Sequence, residues 1–123
     1  MRLVVLALIA MTAPAVADSA EEAAFAKAKP VFVKHCASCH TKGGAKATAK
    51  KLDHFDMTSY PFAGHHAGTM ARTIRKVLGI GGGKPTMPAD HKGAVKGDEL
   101  AAIAAWADAF DAAHKADSTH HQH

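Results

Sequence analysis

Only two of the 123 residues are cysteine, and they stand three apart. A closed zinc site wants four ligands, usually two such pairs, and no second pair exists. Aromatic side chains are also scarce: one tryptophan, one tyrosine and five phenylalanines. Much of the 48% hydrophobic content is alanine. Burial at roughly 25 cal/mol per Å² must offset the conformational entropy of about a hundred ordered residues. An alanine-rich core is underfilled for that purpose, unless something large, flat and apolar completes it. Beyond the N-terminus no apolar run is long enough to cross a bilayer. Internal repeats and alternating strand patterns of useful length are missing too, which leaves an all-α chain. The net charge is +4, with lysines spread out and no aromatics interleaved among them. That pattern excludes a nucleic-acid surface, although mild electrostatic guidance toward an acidic partner remains open.

What is present begins with a leader. Arg2 precedes a short apolar run from Leu3 to Met11, and Ala15-Val16-Ala17 has the A-x-A form of a cleavage site. This predicts a signal peptide over residues 1–17, removed after Ala17, and an exported chain with no membrane span. One small domain over residues 18–116 and a disordered, histidine-rich tail over 117–123 complete the expected organisation.

Within the domain, Ser19-Ala20-Glu21-Glu22 has the S-x-x-E form of a capping box and predicts a helix reaching Lys29. Pro30 then interrupts or kinks it, or opens a new helix through Val31, Phe32 and Val33. Residues 41–64 read as a long irregular loop, of the kind that wraps around something. Met70, Ile74, Val77 and Leu78 lie on one helical face, with Arg72, Arg75 and Lys76 opposite and Gly79 as the stop. A second loop carries Met87 between Pro85 and Pro88. Asp98 then caps a helix from Glu99 to about His114, with an apolar stripe of Leu100, Ile103, Trp106, Ala107 and Phe110. "GIGGGKPT" is not a phosphate loop, because Leu78 and Pro85 stand where that motif needs a glycine and a hydroxyl residue.

The two cysteines sit in "HCASCH", residues 35–40. A redox C-x-x-C belongs between a strand and a helix, and no strand is visible. A c-type haem needs two thiols spaced to reach both vinyl groups and an adjacent histidine for the iron; Cys36, Cys39 and His40 supply these in five residues. His40 is the expected proximal ligand, its second ring nitrogen held by a carbonyl. Met87, a thioether in a loop stiffened by prolines, is the leading distal ligand, and His65 and His66 are the rivals. Met57 and Met70 read as packing, and His35 as an exposed helix residue. His54 and His91 lie in or beside the loops.

With those residues on the page, the chain resembles a class I monohaem cytochrome c. "KPVFVKHCASCH" is similar to that family's N-terminal helix, where an aromatic, here Phe32, precedes the first attachment cysteine by four residues. In the family it packs against the C-terminal helix, which "GDELAAIAAWADAF" resembles, with Trp106 in the partner position. "PTMP" is similar to the loop that brings in a distal methionine. A loop proline usually holds the proximal histidine in the family, but none occurs between His40 and Pro61, so that carbonyl is left unassigned. The resemblance implies a cytochrome c-like fold of three to four helices, with long loops wrapped around one covalently bound haem. It further implies an exported, periplasmic, monomeric electron carrier rather than an enzyme, with one haem c per chain and redox-protein partners met transiently. The alternatives are a haem c protein with open or two-histidine iron, acting as a ligand sensor or peroxidase-like enzyme, and a subunit fixed in a larger complex.

Overall fold

The computed structural model describes residues 16–118; most of the expected signal peptide over 1–17 and most of the expected tail over 117–123 lie outside the described residues. Among the described residues five α-helices follow one another: α1 Val16–His35, α2 Ala37–His40, α3 Ala49–His54, α4 Met70–Leu78 and α5 Gly97–Ser118. A 3-10 turn at Ala67–Thr69 leads into α4. Among the described residues there is no strand, only an isolated antiparallel bridge between Asp56 and Ala63. The all-α expectation holds, with one helix more than the upper estimate.

The additional helices are short and locally determined. In α2 the N–H groups of Cys39 and His40 both return to the Cys36 carbonyl, at 3.2 and 3.0 Å, so the attachment motif is a single turn. In α3 the Thr48 hydroxyl accepts from the Lys51 N–H at 3.2 Å, an N-cap inside a stretch whose small polar residues read as loop.

Two expected boundaries shift. The first helix begins upstream of Ser19, so that serine is interior and does not cap. It also runs through Pro30 without a break. Pro30 lacks one donor, but its neighbours Ala28, Val31 and Phe32 are buried, and that packing outweighs the local penalty. The last helix likewise starts at Gly97, placing Asp98 in its first turn, and continues past His114. His114 itself is tied to Glu21 of α1 at 3.1 Å, which anchors that extension.

The α1–α5 crossing is the centre of the fold. Ala28 and Ala107 are fully buried, so the two backbones approach closely. Phe32 meets Trp106 edge-on, with ring centroids 5.2 Å apart, and Phe62 closes the cluster 5.0 Å from Phe32. Beside it runs a polar chain: Trp106 Nε1 donates to the Tyr60 hydroxyl at 3.0 Å, and that hydroxyl donates to buried Glu21. On the other side α4 buries Met70, Ala71, Ile74 and Leu78. Arg75 does not face solvent as its position in the stripe pattern suggested, but reaches Asp108 and Asp111 of α5 at 2.8 and 2.6 Å.

Candidate functional site

The motif turn, the apolar face of α4 and the Met87 loop enclose a cavity of about 530 Å³, within the range of small-molecule and cofactor sites. Cys36, Cys39 and His40 form one wall with Phe32 behind them. Met70, Ile74, Val77 and Leu78 line another, and Met87, Pro88, Ala89 and Asp90 come in from the loop. His54, Phe55 and His66 complete the lining together with Lys46 and Lys51.

His40 is held from two directions. Its Nδ1 donates to the Phe55 carbonyl at 2.9 Å, and its own carbonyl accepts the Met57 N–H at 2.7 Å. A carbonyl can only accept, so Nδ1 carries the proton and Nε2 keeps its lone pair. Phe55 sits at the C-cap of α3, and its carbonyl fills the role left unassigned when no proline followed the motif. Nothing in the local sequence marks that carbonyl, which becomes available only because α3 forms and ends there.

Both cysteines are free thiols. Burial, and then the neighbouring Cys39, pushes the Cys36 thiol up to about 12. A thiol–disulfide nucleophile needs the thiolate, and burial at Cys36 opposes it.

Met87 is brought to the cavity by a tight return of the glycine-rich loop. Gly79 ends α4 in the left-handed region at φ 72°, and the Thr86 and Met87 N–H groups both donate to the Val77 carbonyl, at 2.8 and 3.1 Å. Gly81, Gly82 and Gly83 are not among the lining residues; they turn the chain back onto α4. Of the two rival histidines, His66 lines the cavity and His65 does not, while His54 does. Met70, expected in the core, is buried there and also forms part of the wall. Met57 is not a lining residue.

His35 departs from expectation. Its side chain is only 11% exposed, its Nε2 lies 3.1 Å from Glu99 Oε1, and it lines the cavity edge. Helix position alone suggested a solvated residue; the start of α5 covers it. Sequence reading also passed over Lys46 and Asp90, which meet at 2.6 Å across the lining. Their separation of 44 residues left no local signal.

The donor set suits a covalently held haem. Two thiols, an imidazole with one nitrogen held and the other available, and a thioether face a space whose α4 wall is apolar. A family model described as "Cytochrome C oxidase, cbb3-type, subunit III" matches residues 23–106, more than half of the chain. Comparison with curated proteins and with solved structures finds no match.

Proposed function

The chain belongs to that c-type cytochrome family, and on this premise we propose that it is an exported, soluble carrier of single electrons with His/Met-ligated iron. Members of the family bind haem c and generally carry electrons rather than catalyse reactions. In this reading Cys36 and Cys39 hold one haem c through thioether bonds, His40 is the proximal ligand and Met87 the distal one. Residues 18–116 are the working domain, released from a leader over residues 1–17 into the periplasm as a monomer. Its partners are redox proteins that meet it briefly across a small interface.

The observation that carries the reading is the convergence of Cys36, Cys39, His40 and Met87 on one largely apolar cavity. The haem, when bound, supplies the one-electron couple. The chain's part is to position it and set its energetics. Phe55 fixes the ring plane of His40, so Nε2 approaches along one direction. The Met87 thioether is a soft donor that favours the reduced iron and raises the potential. Ile74, Val77 and Leu78 keep water from that side and lower the local dielectric.

The test is the optical spectrum of the oxidised holoprotein, wild type beside Met87→Ala. The expected result is a weak sulfur-to-iron charge-transfer band that the substitution abolishes. A low-spin wild type without the band would replace Met87 by a histidine. His66 is then the first residue to substitute, since it lines the cavity and His65 does not. A high-spin wild type would favour the sensor or peroxidase-like alternative.

A second reading follows from the family's description, which concerns a subunit of an oxidase. On that reading the domain works fixed within a larger complex. No helix among the described residues is long and apolar enough to cross a membrane. The mass of the native species extracted from cells in mild detergent decides between a free carrier and a subunit.

A further inference from the structure

The loop after the attachment motif is folded back tightly on it. The Lys46 N–H donates to the Ser38 carbonyl at 2.9 Å, and the Lys46 carbonyl accepts from Lys51 Nζ at 2.7 Å. A Cβ on Gly44 would lie 2.5 Å from that same Ser38 carbonyl oxygen, so only glycine permits the approach. Lys46 is thereby a post fixed to the Cys36–His40 turn. From it, Nζ reaches Asp90 Oδ2 at 2.6 Å. Asp90 stands three residues after Met87 in a turn closed by the His91 N–H on the Pro88 carbonyl, at 3.0 Å. Both side chains line the same cavity, one from each of the two loops that border it.

We propose that the Lys46–Asp90 ion pair is a latch between these two loops, a positioning device that holds Met87 on the iron and keeps small exogenous ligands off the sixth site. The reasoning is one of linkage. The Met87 loop is tied to α4 by backbone bonds at Thr86 and Met87, but after Pro88 its described polar tie to the motif side is this ion pair. A ligand that displaces Met87 must move the loop away from the turn that carries Lys46, and so must part the pair. Any stabilisation of the pair therefore opposes ligand entry by the same factor. Each partner shifts the other toward its charged form: Lys46 is raised and Asp90 lowered, in both cases chiefly by their mutual hydrogen bond. The two groups are 58% and 60% exposed, so the effect is modest and screened by salt.

The inference rests on Met87 as the sixth ligand. The experiment is an optical titration of the oxidised holoprotein with imidazole, following loss of the sulfur-to-iron band, at about 0.01 M and about 1 M salt. At low salt Lys46→Ala and Asp90→Ala are each expected to tighten imidazole binding roughly two- to fivefold. The double variant should do no more than either single one, and the exchanged pair Lys46→Asp with Asp90→Lys should return toward the wild-type value. At high salt the wild type should approach the variants. Equal imidazole affinities for wild type and both single variants at low salt would overturn the latch. Met87→Ala separates the two failures: if the wild type lacks the band and Met87→Ala leaves imidazole affinity unchanged, the ligand assignment has failed and the latch with it. If Met87→Ala abolishes the band while the latch variants match wild type, the latch alone has failed.

Discussion

At the scale of single residues, Glu21 is the one buried charged side chain among the described residues, 7% exposed. It survives there because Tyr60 donates to it and His114 lies 3.1 Å away, so the carboxylate is not left without partners. Tyr60 in turn accepts from Trp106, which makes its hydroxyl the joint between α1, α5 and the loop that carries Phe62. Removing that hydroxyl strands a buried indole N–H and weakens the hold on a buried carboxylate. Tyr60→Phe is expected to cost about 1–3 kcal/mol in urea unfolding of the holoprotein. The pH dependence has a definite sign. Burial first, and then Glu21, pushes the Tyr60 phenol well above its ordinary range, while Trp106 acts weakly against them. The folded state thus prefers the protonated phenol. Its contribution is complete below the ordinary tyrosine value of about 10 and is lost as pH rises beyond it. In the wild type, stability should hold to about pH 10 and then decline. The decline should be shallower in Tyr60→Phe, and parallel curves for the two proteins would remove Tyr60 as its cause.

At the scale of elements, sequence reading succeeded where periodicity was strong. The stripe of α4 was legible, and Met70, Ile74 and Leu78 are indeed its buried face. The stripe of α5 was too, since Ile103, Trp106 and Ala107 are all buried. It failed where a local signal met a tertiary one. Pro30 marks a break by local rules, yet α1 continues through it because the residues around it are held against α5. The Ala26 carbonyl, four residues earlier, has no N–H to receive there, and Ala26 is exposed so water can serve it. Pro30→Ala restores the donor without disturbing a buried contact. It is expected to raise stability by on the order of 1 to 3 kcal/mol, read as a higher melting temperature. A lower melting temperature would mean that the proline's rigidity in the unfolded chain matters more than the missing bond. α3 failed for the opposite reason. Six residues are too few to show a period, and its only sign, Thr48 at the N-cap, is lost among small polar neighbours.

At the scale of the whole molecule, the buried apolar residues of α1, α4 and α5 form one cluster, and part of it borders the cavity. The α1–α5 crossing with its aromatic cluster packs protein against protein. Met70, Ile74 and Leu78 of α4 are buried in that same cluster, and together with Val77 they also line the cavity. Without a bound group that surface faces a space of about 530 Å³, and the long loops on either side lose what they wrap. The double variant Cys36→Ala, Cys39→Ala is therefore expected to lose most of its helical circular dichroism when no haem is attached. A cooperative, native-like melt in that variant would show that the aromatic cluster alone suffices to fold the chain.

The division between sequence and tertiary structure follows the range of each interaction. Within five residues, Cys36, Cys39 and His40 carry their meaning in spacing alone, because one helical turn brings them to one side whatever lies elsewhere. The α4 stripe is similarly short-range, as is the Gly79 stop. The all-α class follows from the same local periodicities. Only the folded chain decided that Phe55, fifteen residues away, supplies the carbonyl for His40, that His66 rather than His65 lines the cavity, and that Lys46 reaches Asp90. Each of those pairings depends on how α3 and the two loops pack on the helices. Backbone carbonyls and lone charges on separate loops carry no periodic or compositional mark of their partners.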